Sequence, residues 1–224
     1  MKRLSLFILL FTAALPAATV DSVLARMDEA GTAFRGMTAK MRKLSYTAII
    51  KETLEESGKI TLRCPKPRQV QALIDFDKPD LKSFLFRDKK VQIFMPKLNT
   101  VQEWDLGKFD SLLTQGLLIG FATPSKEIRK NYSILLVGEE TVVGRKTFKL
   151  ELVPTVESIR QHFTKIDLWI AISDGLPVQQ RLIQASGDYT QIIYSDMQLQ
   201  AVPSDQQVSL KLPPNVKREY PQKK

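Results

Sequence analysis

The stretch LKSFLFRDKKVQIFMPKLNTVQEWD, residues 81–105, carries the clearest strand pattern of the chain. Segments rich in Phe, Val and Ile lie on both sides of Asp88-Lys89-Lys90, and this polar tripeptide is typical of a tight hairpin turn. The stretch therefore predicts three consecutive strands, at residues 81–87, 90–95 and 99–105.

The same two-residue period continues on both sides of this stretch, in segments separated by turn residues. Asp174-Gly175 and Ser186-Gly187-Asp188 are compact hairpin signals. Further strands are predicted at 38–51, 57–64, 68–76, 131–138, 142–153, 163–172, 176–186, 188–198 and 208–212. The pattern indicates an α+β fold that is mainly antiparallel β.

Three segments interrupt the strand pattern with helical spacing. The first contains Val20, Val23, Leu24, Met27 and Ala30. The second runs from about Asp105 to Gly120, and one of its sides carries the apolar residues Phe109, Leu112, Leu113, Leu117 and Phe121. The third is short and opens at Thr123-Pro124, with Thr123 as the cap and Pro124 at the first helical position.

The first residues have the pattern of a secretory signal. Lys2 and Arg3 form a positive region, and the apolar stretch Leu4 to Leu15 is too short to span a bilayer as a helix. Cleavage is predicted after Ala18, with cleavage after Ala17 or a retained N-terminal anchor as alternatives. Thr19-Val20-Asp21 follows this site, so the cysteine that lipid anchoring requires is missing there.

Cys64 is the only cysteine, and it therefore excludes an internal disulfide. We interpret Cys64 as a small buried hydrophobe rather than a reactive thiol. With 224 residues and 43% hydrophobic content, the chain is expected to form one domain with a sizeable core.

The formal net charge of +9 falls to +7 without residues 1–18, since that segment holds Lys2 and Arg3 but no acid. The basic residues are scattered along the strands, and this distribution argues against a nucleic-acid partner. Docking to anionic lipid headgroups or to an acidic protein, and a generally solvated surface, are equally compatible with the charge.

A sheet of about ten strands with one apolar face must close as a barrel, pair as a sandwich or curl over something that covers that face. An apolar helix between two runs of strands favours a half-open barrel stoppered by helices. An acyl chain could replace that helix, because burying a side chain such as Leu113 is worth roughly 1.5 to 3 kcal/mol. Periodicity alone favours the plainer alternative, a tightly packed core without a cavity.

Recognisable catalytic chemistry is absent from the sequence. His162 is the only histidine and is predicted to be a surface residue beside a turn, which argues against metal clusters and histidine-based triads. Neither phosphate-binding glycine motif occurs. The acidic pairs Asp75/Asp77 and Glu139/Glu140 are interpreted as solvated charge rather than as glycosidase carboxylates. We therefore expect no enzymatic activity, no cofactor and no metal.

Several segments together resemble one protein family over nearly the whole chain. They are Gly58–Arg68, Asp88–Asn99, Leu150–Pro154, Ile166–Ile170, Gly175–Gln179, Gly187–Thr190 and Leu210–Pro214. In order and spacing these segments resemble LolA-type lipoprotein-sorting proteins. The resemblance implies an incomplete β-barrel with a helical lid that binds lipoprotein acyl chains.

The same resemblance implies a division of the chain and a set of partners. Residues 1–18 are the signal peptide, 19–216 a LolA-like lipid-binding domain and 217–224 a polar tail. The implied protein is a soluble periplasmic monomer. It takes lipoproteins or another lipid from an inner-membrane extractor complex and delivers them to an outer-membrane acceptor.

Two positions depart from the family pattern. Cys64 stands before Pro65, where well-studied LolA proteins carry an arginine thought to latch the lid, so Arg63 or Arg68 is expected to serve instead. Gln92 stands where the hairpin usually has tryptophan. Both departures concern the lid and the mouth of the implied cavity.

The predicted site is hydrophobic and includes the lid helix. Its residues are Phe84, Phe86, Ile93, Phe94, Trp104, Phe109, Leu112, Leu113, Leu117 and Trp169. The leading hypothesis is a lipid-shuttling carrier. Its alternatives are a lipid- or peptide-sensing regulatory module of an envelope stress pathway and, third, a hydrolase acting on envelope lipid.

Overall fold

The structure is a computed structural model, and it describes residues 18–66, 69–107, 118–121 and 123–222. One sheet of twelve strands dominates it. The strands are β1 (Gly36–Thr47), β2 (Glu52–Lys66), β3 (Gln69–Lys78), β4 (Lys82–Arg87), β5 (Lys90–Met95), β6 (Thr100–Asp105), β7 (Tyr132–Val142), β8 (Arg145–Pro154), β9 (Lys165–Ala171), β10 (Pro177–Ile183), β11 (Tyr189–Leu199) and β12 (Lys217–Glu219). The α-helices within the described residues are α1 (Val20–Ala33), α2 (Ser125–Asn131) and α3 (Glu157–Arg160).

The sheet consists of two meanders joined along one seam. Its strand order is β12-β6-β5-β4-β3-β2-β1-β11-β10-β9-β8-β7, and every pair is antiparallel except β12 with β6. Strands β1 and β11 form the seam, where Met41 lies opposite Tyr194 and Tyr46 opposite Tyr189. In the described chain β7 and β12 are the two edges, so the sheet is open, as predicted.

Helix α1 begins with a capping box. The Thr19 side chain accepts a hydrogen bond from the Ser22 amide, and the Ser22 hydroxyl oxygen accepts one from the Thr19 amide. Val23, Leu24 and Met27 are buried on one side of the helix. The helix predicted from the spacing of these residues is therefore confirmed.

Helix α1 packs on the sheet face formed by β8, β9 and β10, which we call the inner face. Leu150, Leu168 and Ile170 are 0% exposed in the same core cluster as the buried residues of the helix. The β9–β10 turn approaches the helix so closely that a side chain at Gly175 would have its Cβ 2.6 Å from the Arg26 carbonyl oxygen. Gly175 also has φ of +70°, so this contact requires glycine.

A second core cluster covers the inner face at the seam and on β2 and β3. It contains Phe34, Met37, Ala39, Met41, Ile60, Leu62, Cys64, Ala72, Ile74, Phe76, Leu118, Phe121, Leu176, Ile192 and Tyr194. Cys64 is a buried member of this cluster, as expected for a small hydrophobe. His162 is exposed just after α3, as predicted.

Several predicted elements differ from the structure. The strand expected to run to Lys51 ends at Thr47, and residues 48–51 form a hairpin turn in which Ile49 is 90% exposed. Thr123 does not cap α2, because Pro124 occupies the N-cap position. The Asp28 carboxylate accepts a hydrogen bond from the Ser125 amide instead.

The C-terminal part also differs from the prediction. Residues 208–212 do not form a strand, since Asp205–Val208 is a 3-10 helix and no ladder follows it there. Lys217–Glu219, expected to belong to a polar tail, forms β12 beside β6. A β-strand can add to an unpaired edge through its backbone alone, whatever the polarity of its side chains.

Some predictions lie outside the described residues. They concern the signal segment up to residue 17 and most of the apolar helix, residues 108–117. Residues 118–121, which are described, form turns rather than helix. Across the described segments, no helix is both long and apolar enough to span a bilayer.

Candidate functional site

The register of β4, β5 and β6 places four of the predicted site residues on the inner face. Phe84 lies opposite Ile93, and Phe86 lies opposite Val91, which in turn lies opposite Trp104. Because directly paired residues of adjacent strands project from the same side of a sheet, these side chains share one face. Ile74 lies opposite Phe84 and continues this face into the core cluster on β3.

Aromatic rings line this part of the inner face. Phe76 and Phe84 meet edge to face with ring centroids 5.8 Å apart, and Phe84 and Phe86 are nearly parallel at 6.4 Å. We call Phe76, Phe84, Phe86, Ile93 and Trp104 the aromatic floor. Phe76 is buried, whereas the other four side chains are only half-buried.

Trp104 adds a polar group to the aromatic floor. Its indole Nε1 is buried and has no hydrogen-bond partner among the described residues. An indole N–H is a donor only, and buried donors are nearly always satisfied. The arrangement suits a bound molecule that is mostly apolar and offers an acceptor, such as an ester or amide carbonyl.

A cleft of about 570 Å³ opens at the end of β2, beside Cys64. Its walls are the last turns of α1, the start of α2 and the end of β2, including Met27, Phe34, Cys64 and Thr123. The Cys64 thiol donates to the Lys66 carbonyl oxygen at 3.2 Å. This cleft lies at the α1 end of the inner face, where Leu62 and Phe34 belong to the same core cluster.

A charged cluster lies at the opposite end of the same face. Lys43 lies opposite Glu56 across β1 and β2, and Lys82 lies opposite Phe76 across β3 and β4. Lys43 Nζ is 2.7 Å from Glu56 Oε2, and Lys82 pairs with Glu56 Oε1. We call Lys43, Glu56 and Lys82 the lysine–glutamate cluster.

Burial and ion pairing shift the pKa of Glu56 in opposite directions. Burial is the largest influence and by itself raises the pKa of this carboxyl. The hydrogen bonds and charges of Lys43 and Lys82 together outweigh it, and the pKa of Glu56 stays below its usual value. The carboxylate is therefore ionised at neutral pH although its side chain is only 3% exposed.

Sequence reasoning missed this cluster, although one signal was present. Glu56 has the same parity as Gly58, Ile60 and Leu62, whose side of β2 faces the core. A charged residue in the apolar phase of a strand indicates either a partner or a function.

Two predicted site residues lie on the outer face instead. Phe94 lies opposite Ser83 and Val101, one residue out of phase with Ile93. Trp169 alternates with Leu168 and Ile170, which pack beneath α1. The structure therefore does not bring Phe94 and Trp169 together with the aromatic floor.

Trp169 has its own polar surroundings on the outer face. Its Nε1 donates to Glu140 Oε2 at 2.6 Å, and Lys149 Nζ lies 4.9 Å from the ring centroid. The hydrogen bond from Trp169 is the largest cause of a lowered pKa at Glu140, and Lys149 contributes in the same direction. These contacts explain the burial of Trp169 without a ligand.

Arg63, one of the two predicted latch residues, also contacts the outer side of the sheet. Its guanidinium donates to the Pro203 carbonyl oxygen and to Gln71 Oε1, at 2.7 and 2.9 Å. It also pairs with Asp205 at 3.0 Å. Arg63 thus holds the segment after β11 against the sheet, and its role as a lid latch stays a prediction.

The remaining predicted site residues lie outside the described chain. They are Phe109, Leu112, Leu113, Leu117 and Arg68. Within the part of the chain that is described, no three His, Cys, Asp or Glu side chains form a group that could hold a metal ion.

Solved structures share this architecture. An uncharacterised conserved protein from Thermus thermophilus matches with a TM-score of 0.56 and 14% identity, over 89% of this chain and 98% of that protein. MucB matches with a TM-score of 0.55 and 18% identity, over 85% of this chain and 62% of MucB. MucB in complex with MucA(peri) matches with a TM-score of 0.50 and 17% identity, over 86% of this chain and 60% of that chain.

A LolA superfamily protein from Nitrosomonas europaea is also among the matches, with a TM-score of 0.42 and 16% identity over 87% of this chain and 99% of that protein. The fold is thus shared with MucB and with the Thermus thermophilus protein. At identities this low the likeness concerns the fold alone. The chain spans about three fifths of the length of MucB, 62%. No family model and no curated protein sequence matches the chain.

Proposed function

We propose that the protein is an exported, non-enzymatic carrier whose aromatic floor binds the acyl chains of lipoproteins or of another lipid. The carrier would shuttle them through the periplasm, from an inner-membrane extractor complex to an outer-membrane acceptor. One observation carries the proposal: the inner face is sealed by α1 over β8–β10, but its aromatic side chains on β4–β6 stay half-buried.

The energetic argument starts from the hydrophobic effect. Burial of apolar surface contributes about 25 cal/mol of favourable free energy for each Å² removed from water. Phe84, Phe86 and Ile93 are only half-buried, so an apolar partner that covered their exposed surface would gain further binding free energy. Contiguous apolar surface of this kind usually marks a binding site rather than a packing defect.

The sequence supports the same proposal independently. The pattern of residues 1–18 favours export. A carrier that crosses the aqueous space between two membranes has to be exported.

The direct experiment is recovery of the cargo. Protein purified from its own periplasm would be analysed by native mass spectrometry and lipid extraction, and we expect an acylated passenger. Phe84→Ser should lower its yield at least several-fold. Phe94→Ser is the matched control, because Phe94 lies one strand away on the outer face.

The result that would contradict the proposal is equally concrete. A protein recovered empty, and unable to bind any acylated amphiphile when one is added to the purified chain, would leave the aromatic floor without a function. Equal loss of cargo in both variants would indicate a general folding effect rather than a site on β4.

A regulatory binding module is the second candidate, favoured by the match to MucB, whose structure in complex with MucA(peri) has the same fold. In that case the chain would bind a membrane-attached signalling protein. Crosslinking in intact cells followed by affinity purification distinguishes the two candidates. Recovery of a signalling protein in place of extractor and acceptor components would favour regulation.

A further inference from the structure

The lysine–glutamate cluster is unusual in its position, since it places three charged residues on the mostly apolar inner face. Glu56 is only 3% exposed, and each of its carboxylate oxygens already has a lysine partner. Lys43 and Lys82 are 32% and 30% exposed. The charge that an incoming molecule can reach is therefore positive, and the cluster as a whole carries a surplus of one positive charge.

Lys82 connects this charge to the aromatic floor. Its Nζ lies 5.4 Å from the centroid of the Phe76 ring and 5.7 Å from that of Phe84. The floor continues from Phe84 to Phe86 along the same strand. An apolar surface that ends at a cationic site matches an amphiphile with an apolar tail and an anionic head.

We propose that Lys43 and Lys82 bind the anionic headgroup of the lipid whose acyl chain lies on the aromatic floor. This inference rests on the proposed carrier function and specifies its cargo as an acidic amphiphile, with a carboxylate or a phosphate head. A cationic headgroup is disfavoured, because Glu56 is enclosed and its two oxygens are occupied.

Glu56 has a distinct part in this site. A lysine pair covered by a lipid would lose water, and two uncompensated ammonium groups would repel each other. The buried carboxylate between them keeps both ammonium groups in place before the ligand arrives. Each ammonium has three donors, so a headgroup oxygen can accept from both lysines without displacing Glu56.

The test compares lipids that share a tail but differ in head. Binding of palmitate, palmitoyl lysophosphatidylglycerol and neutral monopalmitin to the purified protein would be measured by displacement of a neutral fluorescent probe. Palmitate has a carboxylate head and palmitoyl lysophosphatidylglycerol has a phosphate head, so their affinities show which anion the site prefers. We expect at least one of the two anionic lipids to bind about tenfold more tightly than monopalmitin. One charge-assisted hydrogen bond to a lysine accounts for a difference of this size.

Variants then assign the preference to the cluster. Lys82→Gln and Lys43→Gln should each lower the affinity for the preferred anion about three- to tenfold and leave monopalmitin unchanged. Lys82→Arg should retain the preference because it retains the charge. Lys59→Gln is the matched control, since Lys59 is an exposed lysine of β2 on the outer face. Thermal melting of every variant shows that it is folded.

The outcomes are separable from those of the carrier proposal. Equal affinity of wild-type protein for monopalmitin and both anions would overturn the headgroup inference while the acyl-chain site stands. A preference that survives in the double variant Lys43→Gln/Lys82→Gln would also overturn it. Failure of all three lipids to bind would overturn both proposals.

Discussion

Strands β8–β10 and strands β4–β6 belong to the same sheet, but their inner faces differ in how completely they are covered. Beneath α1, Leu168 and Ile170 are 0% exposed. On β4 and β5, Phe84, Phe86 and Ile93 are half-buried and end at a charged cluster. Strands β8–β10, the covered half, are built as an ordinary protein core. Strands β4–β6, the open half, leave apolar side chains partly exposed, and there we propose that a ligand binds. Stability and the proposed binding thus reside in different halves of one sheet.

The largest effect is expected in the covered half. Leu168→Ala removes a fully buried side chain between α1 and the sheet, and we expect it to lower the free energy of unfolding by about 3 kcal/mol. Urea denaturation measures this change. A loss below about 1 kcal/mol would mean that the covered half is not the stabilising core and would break the comparison.

The next effect concerns the charged end of the open half. Glu56→Gln should lower the free energy of unfolding by about 2 kcal/mol at pH 7, because two hydrogen bonds to charged groups lose their ionic character. Glu55→Gln is the neighbouring control. Glu55 pairs with Arg42 while about half exposed, so its loss should lower the free energy of unfolding far less than the loss of Glu56 does.

The effect of Glu56 should also depend on pH. Its pKa is lowered in the folded protein, so its contribution is complete above the unfolded value near 4.3 and disappears as the pH falls through the folded value. Urea midpoints of wild type and Glu56→Gln should therefore converge in acid, below about pH 4. A difference that stays constant from pH 7 down to pH 2 would show that the pKa of Glu56 is not lowered in the folded protein.

A smaller effect is expected where α1 and α2 meet. The Asp28 carboxylate accepts hydrogen bonds from the amide and the hydroxyl of Ser125 at the start of α2. Asp28→Ala should cost about 1 kcal/mol, as the loss of a helix cap does. Asp28→Asn retains an acceptor and should recover at least half of this loss, whereas an equally damaging Asn would point to charge rather than capping.

The smallest expected effect compares one chemical change in both halves. Ile166→Val in the covered half should cost about 1 kcal/mol, because Ile166 is 0% exposed. Ile93→Val in the open half should cost less than about 0.5 kcal/mol, because a half-buried site loses fewer contacts. Equal costs in the two halves would remove the distinction on which the proposed site depends.

Most strands follow directly from the sequence, because their turns contain recognisable residues. Asp88 and Lys89 both have positive φ, at 52° and 58°, in the tight turn predicted between β4 and β5. The hairpin at residues 48–51 was missed because Ile49 and Ile50 favour strands and no glycine or proline marks the turn. Only the pairing of β1 with β2 specifies where that turn lies.

The candidate site was predictable only in part. Phe84 and Phe86 follow a clear two-residue alternation, whereas Ile93 and Phe94 are adjacent and both apolar, so the sequence does not indicate which one faces inward. The lysine–glutamate cluster joins residues 13 and 26 positions away from Glu56, and its existence depends on the register of β1 through β4. Register arises from the whole sheet rather than from any single strand.

The seam between β1 and β11 has a consequence for how the chain acquires its shape. Hairpins within each meander pair residues that are close in sequence. At the seam, Tyr46 pairs with Tyr189, and 142 residues lie between them in the sequence. Contacts between distant parts of a chain form slowly, because the closing of a long loop costs entropy before the contact stabilises it. We therefore expect both meanders to form early. Pairing of β1 with β11 should then be the rate-limiting step in folding of the newly synthesised protein.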